Sequence, residues 1–435
     1  MNKVKQNSTS YRKCGADLDS KTLSSEWNSI DWDKAYKVIN RIESRIAKAY
    51  TKNNLNLVKK LQYLFVDNYY VKAMVVREIS KGFEAGILGI DKCLWNKPDI
   101  LMKSVHELNK KLYKCKKTKN VYLYKLNGEK VKVIVPTMHD RAMKLIFTKS
   151  LESIWNEKQD NINSVRNMIY RSFNRGKSKF FCYSINSYLN EKNYLWLLNN
   201  ILIDKKVLSE FLSKGVLSEN NVSAIYGVKS VFNCLEIQLL KCIFEALKKK
   251  LDETFIQDIF IYKNKMVIIW NKDNNIDISK EFIESLFSEL HLNIHINEVQ
   301  QGDIDNTYLE FFGWKYRKYN GKLNVNISKD CKLEIYEGIR KIIYTNRASS
   351  QDELIVKLNK KIKLAKRLYW GDKVNKVDFN SIDGVIYKQL WSWSIRRHGK
   401  QSKAKVKDKY WKNENCSYNF CTSEHKLIKF SKRNC

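Results

Sequence analysis

Between Leu390 and Tyr410 the chain sets Trp391, Trp393, Arg396, Arg397 and His398 ahead of Lys403, Lys405, Lys407 and Tyr410. Cations interleaved with aromatic rings suit one chemistry above others, the holding of phosphates and the stacking of planar groups. A helix through these residues puts Trp391 and Trp393 on different faces, so one belongs to a core and the other is left to stack or pack at the surface. His398 offers acid–base chemistry in principle. No carboxylate accompanies it in the motif and the chain has only six histidines, which favours nucleic-acid contact or packing. Cys416, Cys421, His425 and Cys435 are of metal-ligating type, but the Cys416–Cys421 gap is wider than the usual zinc knuckle, and the segment reads as a disordered basic tail. A second group of cations, Arg41, Arg45, Lys48, Lys52, Lys59, Lys60, Lys72 and Arg77, lies early in the chain with almost no acids between Lys48 and Arg77. A solvated face explains any one of them; together they read as a surface that meets phosphates.

The whole composition points the same way. The 435 residues carry 80 Lys and Arg against 46 Asp and Glu, a formal net charge of +34. So basic a chain repels itself unless a polyanion offsets the charge, with nucleic acid ahead of an anionic membrane surface. Richness in Lys, Asn and Ile with only 2 Pro and 15 Gly suggests an AT-rich coding genome, which inflates Lys but does not explain the shortage of acids. No apolar run approaches the length that spans a bilayer, so an integral membrane protein is excluded. Met1 to Ser25 has neither the apolar core of a signal peptide nor the Arg bias of a transit peptide, and reads as disordered. Ten cysteines without a C-x-x-C pair read as reduced thiols.

These side chains need elements to hold them. Val38, Ile42, Ile46 and Ala49 recur at helical spacing between Tyr36 and Tyr50, as do Val58, Leu61, Leu64 and Phe65, then Val71, Met74 and Val75. Val121–Tyr124 and Val131–Val135 flank Asn127-Gly128 as a β-hairpin, which Pro136 ends. Thr137 caps the helix that follows. Ile259–Tyr262 and Met266–Trp270 form a strand pair around Lys263, Asn264 and Lys265. From Leu333 the pattern returns to helices.

The order of motifs resembles a known family. Trp27-x-x-Ile30-x-Trp32, Arg41-Ile42, Arg45-Ile46, Leu61-Gln62, Val76-Arg77 and Gly86-x-x-Gly89-Ile90-Asp91 resemble the N-terminal extension of reverse transcriptases encoded by group II introns. The Asn127-Gly128 hairpin, Val135-Pro136, Asp140-Arg141 and Leu151-Glu152-x-x-Trp155 look like that family's fingers, and Phe311-Phe312-Gly313-Trp314 looks like the strand that closes its palm. Leu358-Asn359-x-x-Ile362-Lys363, Phe379-x-x-Ile382-Asp383, Leu390-Trp391-x-Trp393-x-x-Arg396-Arg397-His398 and Lys409-Tyr410-Trp411 are similar to the maturase domain, called domain X, which helps intron RNA fold for splicing.

Polymerisation in that family needs three carboxylates holding two divalent metals. The matching positions here are Ser184, Asn264 and Lys265, with Asn190 where the family has a further Asp. None is a carboxylate, and a lysine repels Mg²⁺. The fingers Arg corresponds to Val131, and the Pro-Gln-Gly stretch to Gly227-Val228-Lys229. Asp252, Asp258, Asp273 and Asp277 lie nearby without the strand–turn spacing that would restore the site.

The resemblance implies an α+β multidomain protein: a helical N-terminal extension, degenerate right-hand reverse-transcriptase fingers and palm, and a helical thumb with maturase domain X. The expected segments are a disordered N-terminus (1–25), the RNA-binding extension (26–95), fingers and palm (96–317), thumb and domain X (318–411) and a basic tail (412–435). The expected function is that of a group II intron maturase, a splicing cofactor and not an enzyme, which binds structured intron RNA in precursor mRNA and stabilises its active fold. Arg41, Arg45, Lys59, Lys60 and Arg77 would hold a peripheral stem. Trp393, Arg396, Arg397, His398, Lys403, Lys405, Lys407 and Tyr410 would approach the catalytic RNA. No metal or cofactor is called for, and a homodimer and additional splicing factors are admitted as further partners. The alternatives are an active RNA-directed DNA polymerase of a mobile intron and a general RNA chaperone. A plastid is the expected compartment, with the mitochondrion second.

Overall fold

Polar caps mark most helix starts in this chain: Asp31, Asn54, Asn68, Asp204, Ser328, Ser350, Asn375 and Ser402 each accept a backbone N–H of the first turn. The computed structural model describes residues 19–82, 91, 93–111, 113–116, 118–124, 130–155, 162–217, 234–252, 258–271, 278–399, 401–414 and 417–432. Gly86, Gly89, Ile90, the Asn127-Gly128 turn, Gly227-Val228-Lys229, Asp273, Asp277, Cys416 and Cys435 lie outside them, as does the side chain of Val131. Helices and small antiparallel sheets make an α+β protein of two compact units. Residues 96–317 contribute to both.

The first unit takes Met1–Lys158, Asn186–Glu245 and Phe287–Ile294. Its helices are α1 (Ser20–Asn28), α2 (Trp32–Thr51), α3 (Leu55–Asp67), α4 (Tyr69–Lys81), α5 (Pro98–Glu107), α6 (Met138–Trp155), α8 (Glu191–Asn200) and α9 (Lys205–Ser213), with the hairpin β1 (Lys119–Tyr124) and β2 (Lys130–Val135). The N-terminal boundary expected for disorder is corrected: α1 starts at Ser20, because Leu23 and Trp27, one turn apart, bury one face. In α2 the buried stripe is Ala35, Ile39, Ile46 and Ala49, with Val38 and Ile42 half-buried. Thr137 caps α6 as expected. Its Oγ1 accepts from Asp140 N at 3.1 Å and donates to Asp140 Oδ2 at 2.6 Å. Lys144 on α6 makes a buried ion pair with Glu236 at 2.5 Å.

The second unit takes Gln159–Ile185, Ala246–Leu286 and His295–Cys435. After α7 (Ile162–Asn174), strands β3 (Lys179–Ile185), β4 (Asp258–Tyr262), β5 (Lys265–Trp270) and β6 (Ile296–Asp303) form a sheet in the order β4-β5-β3-β6. Phe180–Ile185 are all buried, which requires cover on both faces of the central strand. The expected pair around Lys263 and Asn264 is β4 and β5. Strands β7 (Leu309–Phe311), β8 (Trp314–Tyr319) and β9 (Lys322–Ile327) form a separate sheet. Phe311-Phe312-Gly313-Trp314 is therefore the turn of a hairpin and not a strand closing the first sheet. Phe312 and Gly313 both have positive φ, as a two-residue hairpin turn needs. A Cβ on Gly313 would stand 2.8 Å from both Cys331 Sγ and a Tyr369 ring carbon.

Helices α10 (Cys234–Asp252) and α11 (Lys280–Glu289) supply residues to both units. The second unit continues through α12 (Lys329–Thr345), α13 (Gln351–Tyr369), α14 (Lys376–Arg397) and α15 (Lys403–Tyr410) to the hairpin β10 (Trp411–Glu414) and β11 (Ser417–Phe420). The disordered tail is a second correction. Phe420, Cys421 and Phe430 are buried, and Asp383 accepts from Phe430 N and Ser431 N. Three apolar anchors spaced along a basic segment give too little periodicity to announce this. No helix among the described residues is long and apolar enough to cross a membrane.

Candidate nucleic-acid interface

Helix α12 buries Ile335, Ile339 and Ile343, and α14 buries Ile382, Ile386, Leu390 and Trp393, so each carries an apolar stripe at helical spacing. Beside the stripes, residues three and four apart repeat a polar set: Arg340, Tyr344 and Arg347 from α12 and the turn after it, Gln389 and Arg396 with Arg397 from α14. Together they line a groove of about 680 Å³, and no acidic residue lines it among the described residues. Four guanidiniums, permanently charged and close together, make the groove a place for an anion.

Packing fixes some of these groups. The Arg397 guanidinium lies 4.6 Å from the centre of the Trp393 ring and donates to the main-chain carbonyls of Arg347 and Ser349. Arg347 in turn covers one face of Tyr344 at 3.7 Å, and Tyr344 is 62% exposed. Arg340 and Arg396 have no hydrogen-bond or ion-pair partner among the described residues.

Trp393 and Tyr410, both counted as RNA contacts from sequence, are core residues. Trp393 is 4% exposed and donates from Nε1 to Asn346 O at 3.4 Å, while Tyr410 is buried against Trp393 and stacks on Phe420. Trp391 is the half-buried partner, stacked on Tyr387. His398 Nε2 stands 2.7 Å from the Tyr410 hydroxyl. Desolvation, then the neighbouring Lys409 and Arg397 charges, hold its pKa below the ordinary histidine value. Lys403 and Lys405 are exposed, and Lys407 lies 3.5 Å over the Tyr418 ring.

In the first unit, Arg41, Arg45, Lys48 and Lys52 are exposed on one face of α2 and its C-cap, and Lys59 and Lys60 are exposed on α3. Two cations of the early group are otherwise engaged. Arg77 covers the Trp32 ring at 4.2 Å, and Lys72 is buried and paired with Asp67 at 2.9 Å. Lys59 also lines a cleft of about 330 Å³ with Tyr63, Lys110 and Lys205.

The three polymerase-like positions do meet. Ser184 on β3 pairs across the ladder with Lys265 on β5, and Ile185 N donates to Asn264 O at 2.9 Å. Between the Cys182–Gln300 and Ser184–Asn297 pairs β6 bulges, and Glu298 in the bulge has φ 50. Its carboxylate is 2.9 Å from Lys265 Nζ, and the hydrogen bond from that ammonium holds the Glu298 pKa below the usual carboxylate range. The lysine on β5 thus occupies a carboxylate on β6, on the far side of β3. Asn190 caps α8. Asp258 begins β4 opposite Ile269, four ladder positions and about 13 Å from the turn. It is held by Ser172 and Lys177.

Among the described residues one group offers a metal three ligands: Asp352, Glu424 and His425, with one ligand atom each, all within 4.8 Å of one another. Cys421, the described cysteine of the sequence-based zinc candidates, is buried and outside this group.

Residues 27–108 match the family model for the N-terminal domain of reverse transcriptase, and residues 333–411 match that for the group II intron, maturase-specific domain. No curated protein matches the chain. The two matches support a group II intron maturase or reverse-transcriptase-like protein, and the arginine groove lies wholly within the second.

Proposed function

We propose that this chain is a splicing cofactor: it binds structured group II intron RNA and stabilises the fold in which the RNA itself is catalytic. The observation that carries the reading is the groove of Arg340, Arg347, Arg396 and Arg397, free of acids among its described lining and inside the stretch that matches the maturase-specific domain. Fixed guanidiniums recognise phosphates at defined spacing, and those on a packed helix pair lose less entropy on binding than flexible lysines. The exposed cations of α2 and α3, Arg41, Arg45, Lys59 and Lys60, would hold a peripheral stem by its phosphates. Ser184, Asn264 and Lys265 support a protein without polymerase activity, since no carboxylate stands at these positions and Glu298 is neutralised by Lys265. The Lys-, Asn- and Ile-rich composition supports an organellar gene, and a plastid is the compartment we propose.

The test is a splicing assay on precursor RNAs with group II introns at low Mg²⁺, with and without the protein, beside a primer-extension assay on the same RNA. The proposal expects faster splicing and no extension. Extension without any effect on splicing would establish the polymerase reading instead.

A further inference from the structure

A duplex offers phosphates on a convex surface, which an exposed basic helix can meet without any concavity. The α12–α14 groove is instead a cavity of about 680 Å³, within the size range that encloses a compact organic ligand. Two features point to what enters it. Tyr344 is held on one face by the Arg347 guanidinium at 3.7 Å, yet the residue remains 62% exposed, so a flat ring is braced from one side and open to solvent. Gln389 donates from Nε2 to Tyr336 O at 3.4 Å, which orients its amide, and its buried Oε1 has no hydrogen-bond partner. A buried acceptor left unpaired is unfavourable, and a ligand's N–H would satisfy it.

Stacked aromatic and guanidinium planes beside an amide acceptor match an unpaired base. The deep, narrow major groove of A-form RNA hides base edges from side chains, so proteins read RNA sequence at splayed-out nucleotides. Resting on the reading of this site as an RNA interface, we propose that the groove captures one unpaired, amino-bearing nucleotide of the intron. Its base stacks on the open face of Tyr344, its amino group donates to Gln389 Oε1, and its flanking phosphates meet Arg340 and Arg396. Adenine, cytosine and guanine present an exocyclic amine at the Watson–Crick edge; uracil does not.

The test uses the full chain and four RNA hairpins on a common stem: fully paired, or with a single bulged adenosine, uridine or abasic residue. Fluorescence anisotropy should show the adenosine bulge bound about tenfold more tightly than the abasic bulge, the size expected for one base–aromatic stack. Tyr344→Leu should abolish that ratio, read between the adenosine and abasic bulges on the variant itself. Gln389→Leu should bring adenosine down to the uridine level. With the unaltered protein, 2-aminopurine in the bulge should lose emission on binding, which reports stacking without any substitution. Equal affinity for all four RNAs, or a preference that survives Tyr344→Leu, overturns this proposal alone. Absence of binding to every RNA overturns both it and the function it rests on.

Discussion

Neutralising Arg340 and Arg396 together gives a quantitative check on the groove. Neither has a partner among the described residues, so Arg340→Gln with Arg396→Gln removes two charges without breaking an ion pair. If each guanidinium neutralises one phosphate, the slope of log affinity against log salt should become shallower by about 1.4 to 1.8, at about 0.7 to 0.9 per contact. Between about 50 and 200 mM salt the unaltered protein should then lose roughly sevenfold to twelvefold more affinity than the variant does. The assay is filter binding to one group II intron RNA at several salt concentrations, after circular dichroism confirms that both proteins are folded. An unchanged slope would refute the idea that the groove meets phosphates, whatever happened to affinity at a single salt concentration.

Asn264→Ala with Lys265→Ala should leave splicing within about twofold of the parent, because a partly exposed pair such as Lys265–Glu298 contributes no more than about 1 kcal/mol to stability. A loss matching deletion of residues 379–411 would mean that the hairpin touches RNA. Lys144→Met strands the Glu236 carboxylate in the interior and should lower stability by about 3 to 5 kcal/mol in urea unfolding, with much of that recovered by adding Glu236→Leu. Retained stability in the single variant would show that the carboxylate finds another partner. Arg396→Ala with Arg397→Ala should reduce splicing more than total RNA affinity, whereas Lys59→Ala with Lys60→Ala should weaken binding while splicing recovers at high protein concentration. Proportional losses in both variants would remove the division of labour between the two basic surfaces.

What could be read from the chain depended on period and on type. The strands around Lys263-Asn264 were legible because short β-branched runs flank a tight polar turn, and the Thr137 cap because its chemistry is local. Residues such as Phe420 and Phe430 were opaque, since isolated aromatics in a basic segment look the same whether they dock or not. The groove shows the intermediate case. Arg396, Arg397 and Trp393 stand out as near neighbours in sequence, but Arg340, Tyr344 and Arg347 are separated and come together only through the last turns of α12 and the turn after it. That signal was present and could have been counted. Gln389 gave none, because an unsatisfied amide exists only after packing. Trp393 and Tyr410 show a related limit of type: an aromatic beside arginines can be a stacking surface or the wall behind it, and only burial places these two in the core.

Crosslinking the protein to RNA in the cells that make it, then sequencing the RNA and mapping the crosslinked peptides, tests the central claim most directly. The account predicts reads concentrated on one or a few group II introns, with crosslinked peptides from residues 333–411. Reads spread over unrelated RNAs in proportion to their abundance would contradict it and leave a general RNA-binding protein.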